Sequence, residues 1–369
     1  MIIYRYTSDM LRNKINGKKI IICLDGFRHG GTQHATLHLL PYFYNTFETV
    51  YLIVLEQSDS DLNIEPNSKL KLIKFDSVKL ADFQLFKKLL IIFWKIKPDI
   101  ILTSMFRSMV LMAISKNFKS KLFWMEQNTY SMRTKNQLRL LRVLSLRVMK
   151  IICISDDVAN FSSNKISNRN KIVVVPNPIL IPPVEVTDVT RHNNFIFVGR
   201  LIKQKNPFLA IESFNYFLQT FNVDSFLHII GDGELLQSLK VEAKKLGIKE
   251  NCIFHGSLPN AEVYSILKRT KTMISTSVIE GLAMVRLEAL VNGNCLVTTN
   301  SGGTEQYFQV DSDFGIFLAK NDKSDFSQKM YDSLSEKYWK PDAIESRKRI
   351  GKDFSPEKIS SLYIKQFES

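Results

Sequence analysis

Two glutamates stand eight positions apart in SVIEGLAMVRLEALVNGNCLV, residues 277–297: Glu280 precedes a glycine and Glu288 lies inside an apolar helical pattern. A carboxylate in such a pattern is costly to bury unless something bonds it. A helix beginning just after Gly281 would leave the amides of Leu282, Ala283 and Met284 unpaired, and helix N-termini attract anions. Glu280 at that end would also favour the helix dipole. Eight residues turn about 80° beyond two full turns, so Glu288 keeps roughly to the same side. There it could accept two hydrogen bonds from a sugar diol, as acidic residues do for ribose in nucleotide folds. The plainer reading is a capping glutamate followed by a helix glutamate paired with a cation. Arg286, two positions away, is poorly placed to be that cation.

Further upstream, FVGRLIKQKNPFLAIESF (197–214) ends a strand at Gly199 and sets Arg200 and Lys205 before a helix. A glycine allows close backbone approach, and an Arg and a Lys can clamp a diphosphate by fork and point charge; an ordinary solvated loop is the alternative. HIIGDGELL (228–236) carries Gly231 and Gly233 in a Gly-x-Gly turn, but Leu236 stands where a dinucleotide fingerprint needs its third glycine. In the first half, DGFRHGGTQHATLHLL (25–40) pairs Gly30 with Gly31 at a helix start beside Arg28 and His29, a possible backbone-amide cradle. WMEQNTYSMRTK (124–135) places Glu126 and Gln127 at and just past a strand end. His34 and His38 have metal-ligand spacing but lack an apparent third ligand. The triplets Asp59/Asp61 and Asp311/Asp313 read as solvated loops.

These groups must be positioned by regular elements. Apolar, β-branched runs at 19–25, 49–55, 70–75, 99–104, 121–126, 150–155 and 171–176 alternate with helical patterns such as 32–46, 80–96 and 133–148. Runs at 195–199, 226–231, 252–256, 272–276 and 295–299 alternate with helices near 206–220, 233–246, 260–269 and 283–292. Continuous apolar strands alternating with helices predict an α/β protein with parallel, doubly wound sheets. The proline-rich stretch 176–194 breaks the pattern and is expected to be a linker. The expected domains are therefore 1–180 and 181–353, with a terminal helix in 354–369 capped by Ser355 and started by Pro356. Ligands of open parallel sheets bind off the carboxyl ends of the strands, which predicts a cleft between two such domains.

The chain has 369 residues, 45% hydrophobic and 23% charged, ample for two cores. Cys23, Cys153, Cys252 and Cys295 are far apart, so buried thiols of a cytoplasmic protein are expected. The N-terminus shows no signal-peptide pattern, and the strongest apolar run, LLIIFW (89–94), is far short of a membrane span. Net charge is +14, and all the excess lies in residues 1–180, with 27 Lys+Arg against 13 Asp+Glu. An acidic partner for that half is implied. Residues 79–97 mix lysines with aromatic and aliphatic residues, so their helix could lie on an anionic membrane or pack on the core with a cationic edge. No nucleic-acid recognition motif accompanies the charge.

Taken in order, FVGRLIKQKN, HIIGDGEL, the long segment FHGSLPNAEVYSILKRTKTMISTSVIEGLAMVRLEAL and SGGTEQYF resemble the retaining glycosyltransferases of family 4, with ISDDVANFS…VVVPNPI and the Gly30–Gly31 pair similar as well. The resemblance implies the GT-B fold, two Rossmann-like domains facing a cleft, with the nucleotide-sugar donor in the C-terminal domain and the acceptor in the basic N-terminal one. It assigns catalysis to Arg200, Lys205 and Glu280, the two cations holding the donor diphosphate. It gives Glu288 to the ribose, and gives Gly30, Gly31, Gly199, Gly231, Gly281, Leu282, Ala283 and Met284 to the donor. Arg28, Glu126 and Gln127 fall on the acceptor side. Neither a cofactor nor a metal is expected. The implied substrates are a nucleotide sugar, most plausibly a UDP-sugar, and a glycan or polyprenyl-diphosphate-linked glycan of bacterial surface polysaccharide, met at the cytoplasmic face of the membrane. Three positions depart from the family: Gln127 stands where many relatives have His, Ala283 where Gly or Pro is usual, and Arg286 where an apolar residue is usual. A non-hydrolysing UDP-sugar 2-epimerase and a non-catalytic sugar-nucleotide-binding protein are the alternatives.

Overall fold

The computed structural model describes residues 15–26, 31–56, 64, 67–75, 82–117, 119–127, 133–180, 191–302, 315–335 and 350–369. The chain divides into two compact units, residues 1–178 with 354–369, and residues 179–353.

The first unit is built on seven parallel strands: β1 (Lys19–Leu24), β2 (Thr49–Val54), β3 (Leu70–Lys74), β4 (Ile100–Ser104), β5 (Lys121–Glu126), β6 (Lys150–Cys153) and β7 (Ile172–Val174). Their order in the sheet is β3-β2-β1-β4-β5-β6-β7, and every pairing is parallel. The strands are apolar nearly throughout because helices cover both faces. The helices are α1 (Gly31–Thr46), α2 (Phe83–Ile96), α3 (Phe106–Ser115), α4 (Lys135–Leu144) and α5 (Asp156–Lys165). Their starts are chemically marked. Asp82 accepts from the amides of Gln84 and Leu85, Thr134 and Gln137 form a reciprocal capping box, and Ser155 accepts from the Val158 amide. Helix α3 (FRSMVLMAIS) escaped the periodicity reading because seven of its ten residues are buried, leaving no polar stripe to mark a face.

The second unit carries β8 (His192–Val198), β9 (Leu227–Ile230), β10 (Cys252–Gly256), β11 (Thr270–Ser275), β12 (Cys295–Thr299) and β13 (Ile316–Ala319), in the order β10-β9-β8-β11-β12-β13. Its helices are α6 (Pro207–Phe221), α7 (Leu236–Lys245), α8 (Asn260–Arg269), α9 (Met284–Val291) and α10 (Lys323–Asp332). Strand β13 and helix α10 extend the expected pattern by one more unit. The core holds Phe195, Phe214, Phe217 and Phe326, all fully buried.

The chain ends in α11 (Pro356–Glu368), started by Pro356 with Ser355 accepting from the Lys358 amide. This helix packs into the core of the first unit: Ile359, Tyr363 and Phe367 are buried among β-strand residues and α1. The Phe367 ring lies 4.9 Å from that of Phe123 and 6.2 Å from those of Phe43 and Phe47.

Helix α2, from residues 79–97, packs one face on the core, as one of the two expectations had it, and leaves a second apolar face uncovered among the described residues. Leu85, Leu89, Phe93 and Ile96 are buried, while Leu90, Ile91 and Trp94 face outward, Trp94 at 74% exposure, beside exposed Lys87, Lys88, Lys95 and Lys97. The same character continues nearby in the chain, where Leu140, Val143 and Leu146 are exposed among Arg139, Arg142 and Arg147. Among the described residues, no helix is long and apolar enough to cross a membrane. All four cysteines are buried and free.

Candidate active site

The strand order of the second unit reverses between β8 and β11, the switch point where open parallel sheets bind their ligands. Arg200 and Lys205 follow β8, and Glu280 follows β11, so all three are carried to that point. The two loops are latched together by backbone and side-chain bonds. The Val278 amide donates to Gln204 O (2.9 Å), Gln204 Nε2 donates to Ile279 O (3.0 Å), and the Thr276 hydroxyl reaches Lys205 O and Asn206 O. A third loop joins after β12, where the Glu280 amide donates to Ser301 O (2.8 Å) and the Thr299 hydroxyl to Ser277 O (2.6 Å).

Within this frame Glu280 is buried and its Oε1 accepts from both Lys205 Nζ and Ser277 Oγ. Burial by itself would raise its pKa. The charges of Lys205 and Arg286, with hydrogen bonds from Lys205 and Ser277, outweigh burial and hold the carboxyl below its ordinary value. Arg200 is exposed and, among the described residues, makes no ion pair. Gly199, at the end of β8, underlies the aliphatic stem of Lys205.

The Gly-x-Gly turn supports this loop from below. Gly231 has φ +134, and a Cβ there would lie 1.9 Å from Gly199 O; one on Gly233 would lie 2.5 Å from Leu201 O. The Leu201 amide donates to Asp232 O, and the Leu235 amide to Leu201 O. The two glycines thus let the turn press on the Arg200 loop, backbone to backbone, and the turn needs no third glycine for that.

Helix α9 begins later than the sequence suggests, which corrects the expected geometry of Gly281, Leu282 and Ala283. The first helical residue is Met284, Ala283 caps it with extended backbone (φ −81, ψ 92), and Leu282 lies in the loop. The loop must first return from Glu280, whose amide is committed to Ser301, before the chain can turn into a helix. The amides of Leu282, Ala283, Met284 and Val285 have no hydrogen-bond partner among the described residues. Glu288 sits one turn further on. It keeps some solvent contact, yet burial pushes its carboxyl up to about 7, and no described residue bonds it. Tyr264 on α8 is close enough for burial, then the Glu288 charge, to raise its phenol.

Arg286 stood in the sequence as a poor partner for Glu288 and as one of the three departures from the family it resembles. It is fully buried, donating from Nε to Ser275 Oγ (3.0 Å) and from Nη2 to Ser301 Oγ (2.6 Å). A charge at an apolar helical position was the one available signal.

In the first unit the strand order reverses between β1 and β4. Asp25, after β1, accepts from the amides of Arg107 (3.2 Å) and Ser108 (2.6 Å) at the start of α3. The Arg107 side chain bonds Glu56, beyond β2, and pairs with Asp25 at 3.5 Å. This cluster was not singled out in the sequence, since its members are 82 residues apart at the extremes and carry no local motif. Glu126 is 1% exposed and its carboxylate is held by Arg133 from both guanidinium nitrogens. Gln127 and Asn177 exchange amide hydrogen bonds of 3.1 and 3.4 Å. Gly31 opens α1, whereas Arg28 and Gly30 lie outside the described residues, as do Asp59/Asp61 and Asp311/Asp313. His34 and His38 lie on α1 with ring centroids 6.4 Å apart, and burial followed by the His34 charge lowers His38 to about 4. No group of three or more metal-ligand side chains occurs among the described residues.

Two doubly wound parallel-sheet units, the second with a cation–carboxylate cluster at its switch point, have the architecture of the GT-B fold. Comparison with known proteins agrees. Residues 185–353 match the family model described as Glycosyl transferases group 1. A curated relative from Campylobacter jejuni, "GalNAc-alpha-(1->4)-GalNAc-alpha-(1->3)-diNAcBac-PP-undecaprenol alpha-1,4-N-acetyl-D-galactosaminyltransferase", is 25% identical over 47% of this chain and 48% of its own. "UDP-Gal:alpha-D-GlcNAc-diphosphoundecaprenol alpha-1,3-galactosyltransferase" from Escherichia coli is 28% identical over 53% of this chain and 54% of its own. The chain thus spans about half the length of these curated relatives. In fold it is similar to Anabaena HepE, solved with UDP and glucose, at a TM-score of 0.79 and 14% identity over 94% of this chain and 98% of that one.

Proposed function

We propose that the protein is a retaining glycosyltransferase that moves a sugar from a nucleoside-diphosphate donor, a UDP-sugar, to a lipid-linked glycan of bacterial surface polysaccharide. The observation that carries this reading is the placement of Arg200, Lys205 and Glu280 together at the β8/β11 switch point, with Glu288 on the helix α9 that follows. Arg200 and Lys205 bind the donor diphosphate and stabilise the charge that grows on it as the bond from the anomeric carbon to the phosphate oxygen breaks. Two cations serve this end, so no divalent metal is required of the site. The unpaired amides around Met284 face negative charge favourably, Glu280 accepts from donor-sugar hydroxyls, and Glu288 accepts from the ribose diol. The acceptor oxygen attacks the anomeric carbon on the face the phosphate leaves, its proton passing to the departing phosphate. Configuration is then retained without a covalent carboxylate intermediate.

The relatives named for undecaprenyl-diphosphate-linked substrates support a lipid-linked acceptor. The outward Leu90, Ile91 and Trp94, ringed by lysines, support contact of the first unit with an anionic membrane surface.

The test is a panel of UDP-, GDP- and ADP-sugars offered to the purified protein in EDTA, read by saturation-transfer NMR and donor hydrolysis. One donor should bind or slowly hydrolyse, and Arg200→Ala and Glu288→Ala should each abolish this. Binding indifferent to both substitutions would overturn the assignment. Epimerised free sugar nucleotide would point to the epimerase instead, and tight binding without turnover on any acceptor to a binding protein.

A further inference from the structure

Lys205 and Glu280 are bonded to each other in the free protein. On the function proposed above, Lys205 must turn to the donor diphosphate, at least in part. A carboxylate as buried as Glu280 that lost its only cation would take up a proton, and a neutral acid would no longer accept from two sugar hydroxyls. The charged and polar groups facing Glu280 among the described residues are Lys205 from the β8 loop, Ser277 from its own loop and Arg286 from α9. Of the cations, only Lys205 can also reach outward. Arg286 is fully buried, and its guanidinium is fixed by Ser275 at the end of β11 and Ser301 after β12. Ser301 also accepts the Glu280 amide through its carbonyl.

We propose that Arg286 is a positioning residue: a second, immobile counter-ion that keeps Glu280 charged while Lys205 is engaged by the diphosphate, and that ties together the two strand ends between which Glu280 sits. Charge is thereby conserved around the carboxylate. Lys205 can exchange one anion for another without a proton entering the site. The proposal rests on the donor reading for the release of Lys205, but its core, the charge state of Glu280, is measurable without any donor.

The experiment follows the Glu280 carboxyl in protein labelled with 13C at glutamate Cδ, its signal identified by loss in Glu280→Gln. In Lys205→Met, Glu280 should rise yet stay ionised at neutral pH, because Arg286 remains. In Arg286→Met it should move up by about one pH unit or more, and Arg286→Lys should recover much of the shift. A merely structural arginine would change the melting temperature and leave these titrations where they were. Glu280 protonated at neutral pH in Lys205→Met alone, or staying put in Arg286→Met, would overturn the proposal. Should Arg286→Met fail to fold, the Lys205→Met arm decides. The second readout is the acid limb of UDP affinity against pH, which should move upward in Arg286→Met and return in Arg286→Lys. Wild-type protein that binds no UDP would sink the donor reading and the release of Lys205, while the titration would still decide whether Arg286 holds Glu280 charged.

Discussion

At the scale of single residues, the site contains two carboxyls tuned in opposite directions. Glu280 is buried but doubly countered, and stays charged. Glu288 is pushed up to about 7 by burial alone. The sign follows from linkage: a carboxyl whose folded pKa exceeds its unfolded value adds stability at low pH and loses it as pH rises from about 4.5 to about 7. Glu288→Gln should therefore melt higher than wild type at pH 8 and about the same at pH 4, by calorimetry. Ribose binding favours the charged form, so UDP affinity of the wild type should rise between pH 6 and pH 8. In Glu288→Gln, affinity should be weaker and flat across that range by titration calorimetry. A stabilised but poorly binding variant is what a residue kept for its ligand produces.

Among elements, two helices carry consequences away from the Glu280 cluster. Helix α2 buries one apolar face and exposes another, so Trp94 contributes nothing to the core at 74% exposure. Trp94→Glu with Ile91→Glu should leave the melting temperature within about 2 °C, yet cut sedimentation with phosphatidylglycerol liposomes several-fold. Equal sedimentation of variant and wild type would remove α2 from any membrane contact. Helix α11 is the reverse case, the end of the chain serving as core of the first unit. Phe367 is fully buried against Phe43, Phe47 and Phe123. Phe367→Ala should cost about 3–5 kcal/mol, seen as a lower urea midpoint for the transition of that unit. Both helices were visible in the sequence, α2 from its periodicity and α11 from its Ser355 cap and Pro356. Which face of α2 would be covered was not, since both faces are apolar and only the sheet decides which is used.

The whole molecule divides its labour by charge. The first half holds all the excess cations, while the Arg200, Lys205 and Glu280 cluster lies in the other unit. Attraction of the first unit to anionic lipid should therefore be electrostatic as well as apolar. Liposome sedimentation should weaken as salt is raised from about 0.05 to about 0.5 M, whereas UDP affinity should change far less, because the buried Lys205–Glu280 region is poorly screened. Loss of both in parallel would count against this division.

Much of this organisation was set by the sequence alone. Parallel sheets buried on both faces write themselves as uninterrupted apolar runs, and all the expected strands are present. Helix starts carry their own caps, and the order of Arg200, Lys205, Glu280 and Glu288 was enough to suggest the chemistry. What only the tertiary structure decided are contacts between residues far apart in the chain. The start of α9 was misplaced because Glu280 spends its amide on Ser301, a bond no local pattern announces. Asp25, Glu56 and Arg107 meet only because β1, β2 and β4 are neighbours in the sheet. Arg286, a cation at an apolar helical position, is fully buried because the ends of β11 and β12 offer it two hydroxyls. Local propensity and periodicity are encoded along the chain, whereas the pairing of buried charges depends on which strand ends the fold brings together.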